Sequence, residues 1–169
     1  MRILMLGDIY GRVGRALIQK ELPGLRKLHA VDAVVANGEN VTGGAGLSPR
    51  HLAELCRNGV DLATGGNHLF ARKDWPELMK DARVLRPHNL GGDGLPGRGW
   101  GEITLADGRK FGVMNLAGRV FMEGGDCPFQ WADRLLTRFS PGIPVLVDFH
   151  AEATSEKAAL AWHLDGRVS

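Results

Sequence analysis

Asp8, Glu39, Asn40, Asn67, His68 and His150 each follow a short apolar run, and together they make a set of carboxylate, amide and imidazole donors. Alone, a carboxylate such as Asp8 at a strand tip is a helix cap or loop anchor as readily as a ligand. As a constellation, two carboxylates, two amides and two histidines at one sheet edge suit hard or borderline divalent cations, which accept mixed oxygen and nitrogen ligands. Two such cations close together can grip the attacking and leaving oxygens of a phosphoryl group and supply hydroxide near neutral pH.

The elements that must position these residues alternate along the chain. Arg2 to Leu6 reads as a strand ending in Gly7-Asp8, followed by helical spacing from Val13 to about Leu28. Val31 to Ala36 is a second strand ending in Asn37-Gly38-Glu39-Asn40, and Ser48-Pro49 opens a helix through Leu55, with Ser as cap. Val60 to Thr64 is a third, with Gly65-Gly66-Asn67-His68 as its loop and a helix from Asp74 to about Asp81. Strand and helix alternation predicts a mostly parallel sheet, whose carboxyl ends gather ligands, so the three polar tips are expected to converge. Further on, Glu102 to Leu105 and Phe111 to Asn115 flank Asp107-Gly108 as an antiparallel hairpin, and Trp131 to Phe139 is helical. Pro144 to Phe149 is a last strand ending at His150, and Thr154 or Ser155 caps a helix through Leu164.

Composition narrows the classes. At 169 residues the chain is read as one domain, 1–169, and a formal net charge of +2 is far from the basic excess of a nucleic-acid-binding surface. Hydrophobic residues at 44% and charged residues at 24% describe an ordinary globular chain. Its 24 glycines, about twice the usual share, are spread without a period and point to tight turns. Apolar runs fall well short of a membrane-spanning helix, and no secretory leader is seen at the amino terminus. Cys56 and Cys127 are too few and too far apart for a disulfide framework, which makes the cytoplasm the expected compartment.

Gly66-Asn67-His68, after a loop aspartate and a second acidic residue, resembles the signature of calcineurin-like metallophosphoesterases. Gly7-Asp8-Ile9-Tyr10-Gly11, Asn37-Gly38-Glu39-Asn40 with Gly43-Gly44, Gly118-Arg119-Val120-Phe121-Met122 and the run from Asp148 to Lys157 are similar, in order, to the YmdB family within that group. Tyr10 stands where the wider superfamily has a histidine, a departure the narrower family shares. The resemblance implies an α/β fold of metallophosphoesterase type, a two-sheet αββα sandwich. It also implies a binuclear centre, manganese or iron, in which Asp8 binds one metal, Glu39 bridges both, Asn67 and His150 bind the other, and Asn40 assists near the first. His68 is then the general acid or transition-state donor, and hydroxide generated at the metals attacks a phosphodiester or phosphomonoester, with 2′,3′-cyclic nucleotides the implied substrate class.

Arg119 could clamp a substrate phosphate or serve as a structural ion-pair partner. The glycine spacing of Gly7 to Gly14 fits neither a Rossmann fingerprint nor a P-loop. The family continues past Asp165 to Ser169 into a strand and a histidine-rich motif carrying two more metal ligands, so Val168-Ser169 reads as the start of a strand and the sandwich as incomplete at its C-terminus. The alternatives are a weak or inactive form that binds nucleotide, RNA or a protein partner, and a homo-oligomer in which a second copy completes the sheet. Glu156 is expected to serve the first turn of its own helix, His29, His51, His88 and His163 to be structural, the four tryptophans to be core or packing residues, and Cys56 to be inert.

Overall fold

Three apolar runs become the strands of the first sheet: β1 (Ile3–Leu6), β2 (Ala33–Asn37) and β3 (Leu62–Thr64) lie in the order β1-β2-β3 with both pairings parallel. The computed structural model describes residues 1–169, which divide into two compact units, Met1–Val84 and Leu85–Ser169. In the first unit the central strand β2 is buried at every residue, which is why it reads as an unbroken apolar run rather than an alternating one. Helix α1 (Gly11–Leu28) follows β1 and buries Ile18 and Leu22, spaced by one turn. Helix α2 (Pro49–Arg57) starts as its sequence predicts: the Ser48 hydroxyl accepts from the His51 amide at 3.3 Å, and Pro49 takes the first helical position.

The core of this unit joins Ile18, Leu22, Val34, Ala36, Leu52 and Leu55. The helix expected over Asp74 to Asp81 is a single turn, α3 (Trp75–Leu78). Beyond it the bonds tighten to i→i−3, Lys80 N to Glu77 O and Asp81 N to Leu78 O, both 3.1 Å, and the Asp81 carboxylate takes the Arg83 amide at 2.9 Å and stops the helix.

The second unit carries a mixed sheet in the order β4-β5-β6. Strands β4 (Trp100–Thr104) and β5 (Lys110–Ala117) form the expected antiparallel hairpin, and β6 (Val145–His150) returns parallel to β5 after helix α4 (Pro128–Leu136). Helix α4 begins three residues before the predicted start, because Pro128 supplies a ready first turn. Helix α5 (Thr154–Leu164) starts where expected but without a side-chain cap: Thr154 is already helical, and the capping position is Ala153, which has no acceptor. Met114, Leu116, Trp131, Leu135, Leu160 and Leu164 belong to the core here.

Trp162 departs from the expectation of a packing role and is 78% exposed. Glu156, Leu160 and Leu164 form the buried stripe of α5 at one-turn spacing, and two residues from Leu160 is the opposite side of a helix. Val168-Ser169 is not a strand, although the Ser169 amide donates to Val145 O on β6 at 3.0 Å. The segment that leads into β4 is organised by Arg86, whose fully buried guanidinium donates to the carbonyls of Pro96, Pro87, Leu90, Gly92 and Leu95. The fold is thus α/β with two sheets.

Candidate functional site

The carboxyl ends of the first unit's strands are sewn together by backbone bonds. Ile9 N donates to Asn37 O at 3.0 Å, Gly11 N to Asn40 O at 2.9 Å, and Gly38 N to Thr64 O at 2.9 Å. Gly11, with φ +54°, adopts a left-handed conformation open to few other residues, and so starts α1 while its amide still reaches Asn40. These ties place Asp8 and the Glu39-Asn40 pair side by side. The Asn40 amide nitrogen donates to both oxygens of Asp8, at 3.1 and 2.8 Å, and lies 3.3 Å from Glu39 Oε1.

His68 closes the group. Its Nδ1 is 2.8 Å from Asn40 Oδ1 and 3.5 Å from Glu39 Oε1, and its backbone amide donates to Glu39 Oε2 at 3.2 Å. With the Asn40 nitrogen committed to the carboxylates, its oxygen is the acceptor, so the proton of the neutral imidazole sits on Nδ1 and Nε2 is left bare. Asn67 is exposed beside it and opens the 3₁₀ turn Asn67–Phe70.

Of the two carboxylates, Glu39 is buried and Asp8 is exposed. Glu39 is 1% exposed, and the Asp8 carboxylate meets only a neutral amide. A buried carboxylate beside a second one is costly unless a positive charge joins them. The chemistry of the donor set, carboxylate and amide oxygens with an imidazole at the rim, fits a hard divalent ion such as manganese or ferrous iron. No three His, Cys, Asp or Glu side chains gather to hold a metal by themselves.

The remaining predicted residues belong to the second unit. His150 is the last residue of β6, paired in register with Ala117, and its carbonyl accepts from Gly118 N at 2.8 Å. Arg119 lies just past that point with an exposed side chain that makes no hydrogen bond or ion pair, so the ion-pair alternative is not what the structure shows. Arg119 is the first residue of a turn closed by Met122 N to Arg119 O at 3.2 Å, whose third residue, Phe121, has φ +62°. Turns take Gly at such a position, and a bulky residue there stores about 1–3 kcal/mol of strain.

Two residues escaped sequence reasoning. Glu156 stands in the first turn of α5 as expected, and its carboxylate, 9% exposed, also accepts from Arg119 N at 2.9 and 3.0 Å and from Val120 N at 3.2 Å. Gly118 permits that approach, since a Cβ there would stand 2.5 Å from Glu156 Oε2 and 2.6 Å from Ala151 Cβ. Asn89, fully buried, exchanges two bonds of 2.8 Å with Ala117 and also donates to Asp126 O at 3.0 Å. Both bind backbone groups, which leave no trace in side-chain spacing. Of the histidines expected to be structural, His51 Nδ1 bonds Thr42 Oγ1 at 2.8 Å and His163 Nε2 meets Asp133 at 2.9 Å. Cys56 packs on the first core, and burial pushes its thiol pKa up, away from reactivity.

A family model described as YmdB-like protein matches residues 4–169. The 2′,3′-cyclic-nucleotide 2′-phosphodiesterase of Bacillus subtilis (strain 168) is 39% identical over 171 residues, which take in 100% of this chain and 64% of that protein. The crystal structure of a hypothetical protein from Thermus thermophilus superposes with a TM-score of 0.93 at 41% identity, covering 100% of this chain and 65% of the other. That of a novel phosphatase from Mycoplasma pneumoniae gives 0.91 at 33% identity, covering 99% and 61%. The chain therefore spans less than two thirds of the length of these relatives.

Proposed function

This chain belongs to the YmdB-like protein family, and on that premise we propose that it is a metal-dependent phosphoesterase of phosphodiesters or phosphomonoesters, with 2′,3′-cyclic nucleotides as its substrate class. One observation carries the reading: a single amide, Asn40, holds the Asp8 and Glu39 carboxylates together on one side and the His68 ring on the other. Two divalent cations, manganese or iron, would act there as Lewis acids on the phosphoryl group and supply the nucleophile at neutral pH.

The chain's own residues do the rest. Asp8, Glu39 and the amide oxygens of Asn40 and Asn67 are the ligands that the first unit offers. Glu39 would be one of the residues to hold the cations, its carboxylate fixed by the Asn40 nitrogen beside Oε1 and the His68 amide on Oε2. His150 is assigned as a further ligand on family membership alone. His68, its side chain half exposed and fixed through Nδ1, carries a proton on Nε2 when charged and passes it to the departing oxygen. Arg119, exposed and unpaired in the second unit, offers a guanidinium that suits a phosphate oxygen.

No helix is long and apolar enough to cross a membrane, and two free cysteines agree with a reducing cytoplasm. The test is His68→Ala, read by metal analysis and by hydrolysis of bis-p-nitrophenyl phosphate in added Mn²⁺. Turnover is expected to fall about 10²-fold or more with metal content unchanged. Equal turnover in the variant would remove His68 from the chemistry.

A further inference from the structure

Phe121 is the most exposed large apolar side chain of the molecule, at 88%, and its ring touches no other aromatic ring. It stands at a positive φ that an ordinary turn would give to glycine. The loop that presents it is nonetheless fixed at both ends. Glu156 holds the amides of Arg119 and Val120, and Asn89 ties Ala117 before the loop to Asp126 after it. Trp131 Nε1 adds a bond to the Asp126 carboxylate at 3.1 Å. A buried carboxylate and a buried amide are thus spent on holding a bare ring in water, in a backbone conformation that disfavours it, two residues from an unpaired guanidinium.

Resting on the phosphoesterase reading above, we propose that the Arg119–Met122 turn is a nucleotide-recognition platform, on which a nucleobase stacks against the Phe121 ring while Arg119 takes the phosphate. Base and aromatic ring stack through faces that every base possesses, so the contact adds affinity with little choice among bases. Arg119 supplies the charge-assisted contact to a group that all nucleotides share. Phosphoesters without a base lose the first contact and keep the second. The strain at Phe121 is the cost of aiming the ring outward, and the Glu156 and Asn89 bonds keep it aimed.

The test is calorimetric binding of adenosine 3′-monophosphate and of ribose 5-phosphate to the whole chain, beside thermal denaturation. Phe121→Ala is expected to weaken the nucleotide about tenfold and to leave the sugar phosphate unchanged, with Phe121→Trp restoring affinity. Arg119→Met weakens both ligands. Phe121→Gly separates recognition from structure: it relieves the positive φ, so the melting temperature rises while nucleotide affinity falls. Nucleotide affinity unchanged in Phe121→Ala, no nucleotide binding by the parent chain, or a lowered melting temperature in Phe121→Gly would each overturn the platform. Hydrolysis of a 2′,3′-cyclic nucleotide by a chain whose affinity ignores Phe121 would overturn the platform and leave the phosphoesterase reading standing. Phe121-dependent binding with no hydrolysis under any metal supports the platform and counts against that reading.

Discussion

Asn40 joins three polar side chains of the first unit, since one planar amide meets two carboxylates and one imidazole at once. Its nitrogen is surrounded by acceptors, so Asn40→Asp replaces a donor with a third carboxylate and leaves the buried Glu39 facing like charge. In metal-free buffer that substitution is expected to cost about 1–3 kcal/mol of stability, and added Mn²⁺ is expected to restore most of it because a cation binds only the folded state. Melting curves with and without Mn²⁺ check both halves; a variant as stable as its parent without metal would mean that the carboxylates do not share this amide. Asn40→Ala is expected to reduce turnover about 10²-fold by releasing the His68 ring. A single-turnover assay against the parent measures this directly.

At the scale of elements, the second unit's sheet ends in a loop held by a helix. Glu156 reaches from the first turn of α5 to two amides past β5, and Gly118 leaves room for it. Gly118→Ala is expected to destabilise the chain by about 1–3 kcal/mol, because the added carbon meets a carboxylate oxygen and the Ala151 Cβ, and denaturant titration measures it. Glu156→Ala is expected to make residues 118–125 the preferred point of proteolytic cleavage, with the rest of the chain resistant for longer. These elements also show what the sequence reveals and what it hides. The strands β1, β2 and β3 and the tips Asp8, Glu39-Asn40 and Asn67-His68 were legible because apolar runs ending in polar residues have few other readings in an alternating chain. Ser48-Pro49 was legible because a cap and a first-turn proline are local. Glu156, Asn89 and Arg86 were not, because their partners are main-chain groups brought near only by the fold. Trp162 is exposed because the phase of α5 places it opposite Leu160, which hydrophobicity alone does not reveal.

At the scale of the whole molecule, stability should depend on pH through His88. The ring is 2% exposed, accepts from Gly99 N at 3.2 Å through Nδ1, and packs edge-on against Trp131. Burial, and then the nearby Arg86 guanidinium and Arg138, hold its pKa below the ordinary histidine value, while Asp93, 3.1 Å from Nε2, opposes them. The stability this carries is present above the unfolded value of about 6.5 and is lost as pH falls below it, by up to about 1.4 kcal/mol per pH unit, until the folded ring itself is protonated. Asp93, held down to about 2 by its paired bonds to Arg138, stays ionised through that window and adds no slope of its own. His88→Gln, which keeps an acceptor for Gly99, is expected to flatten the fall between pH 7 and 5 in thermal melts.

The proposed two-metal site around Asp8, Glu39 and Asn40 is open to direct measurement. The most direct measurement is the metal content of the purified chain loaded with Mn²⁺, determined together with hydrolysis of a 2′,3′-cyclic nucleotide, for the parent and for Glu39→Gln. About two metals per chain with turnover are expected in the parent, and the loss of both in the variant. A parent that neither retains metal nor hydrolyses the ester, or a variant that behaves as the parent does, would rule that site out.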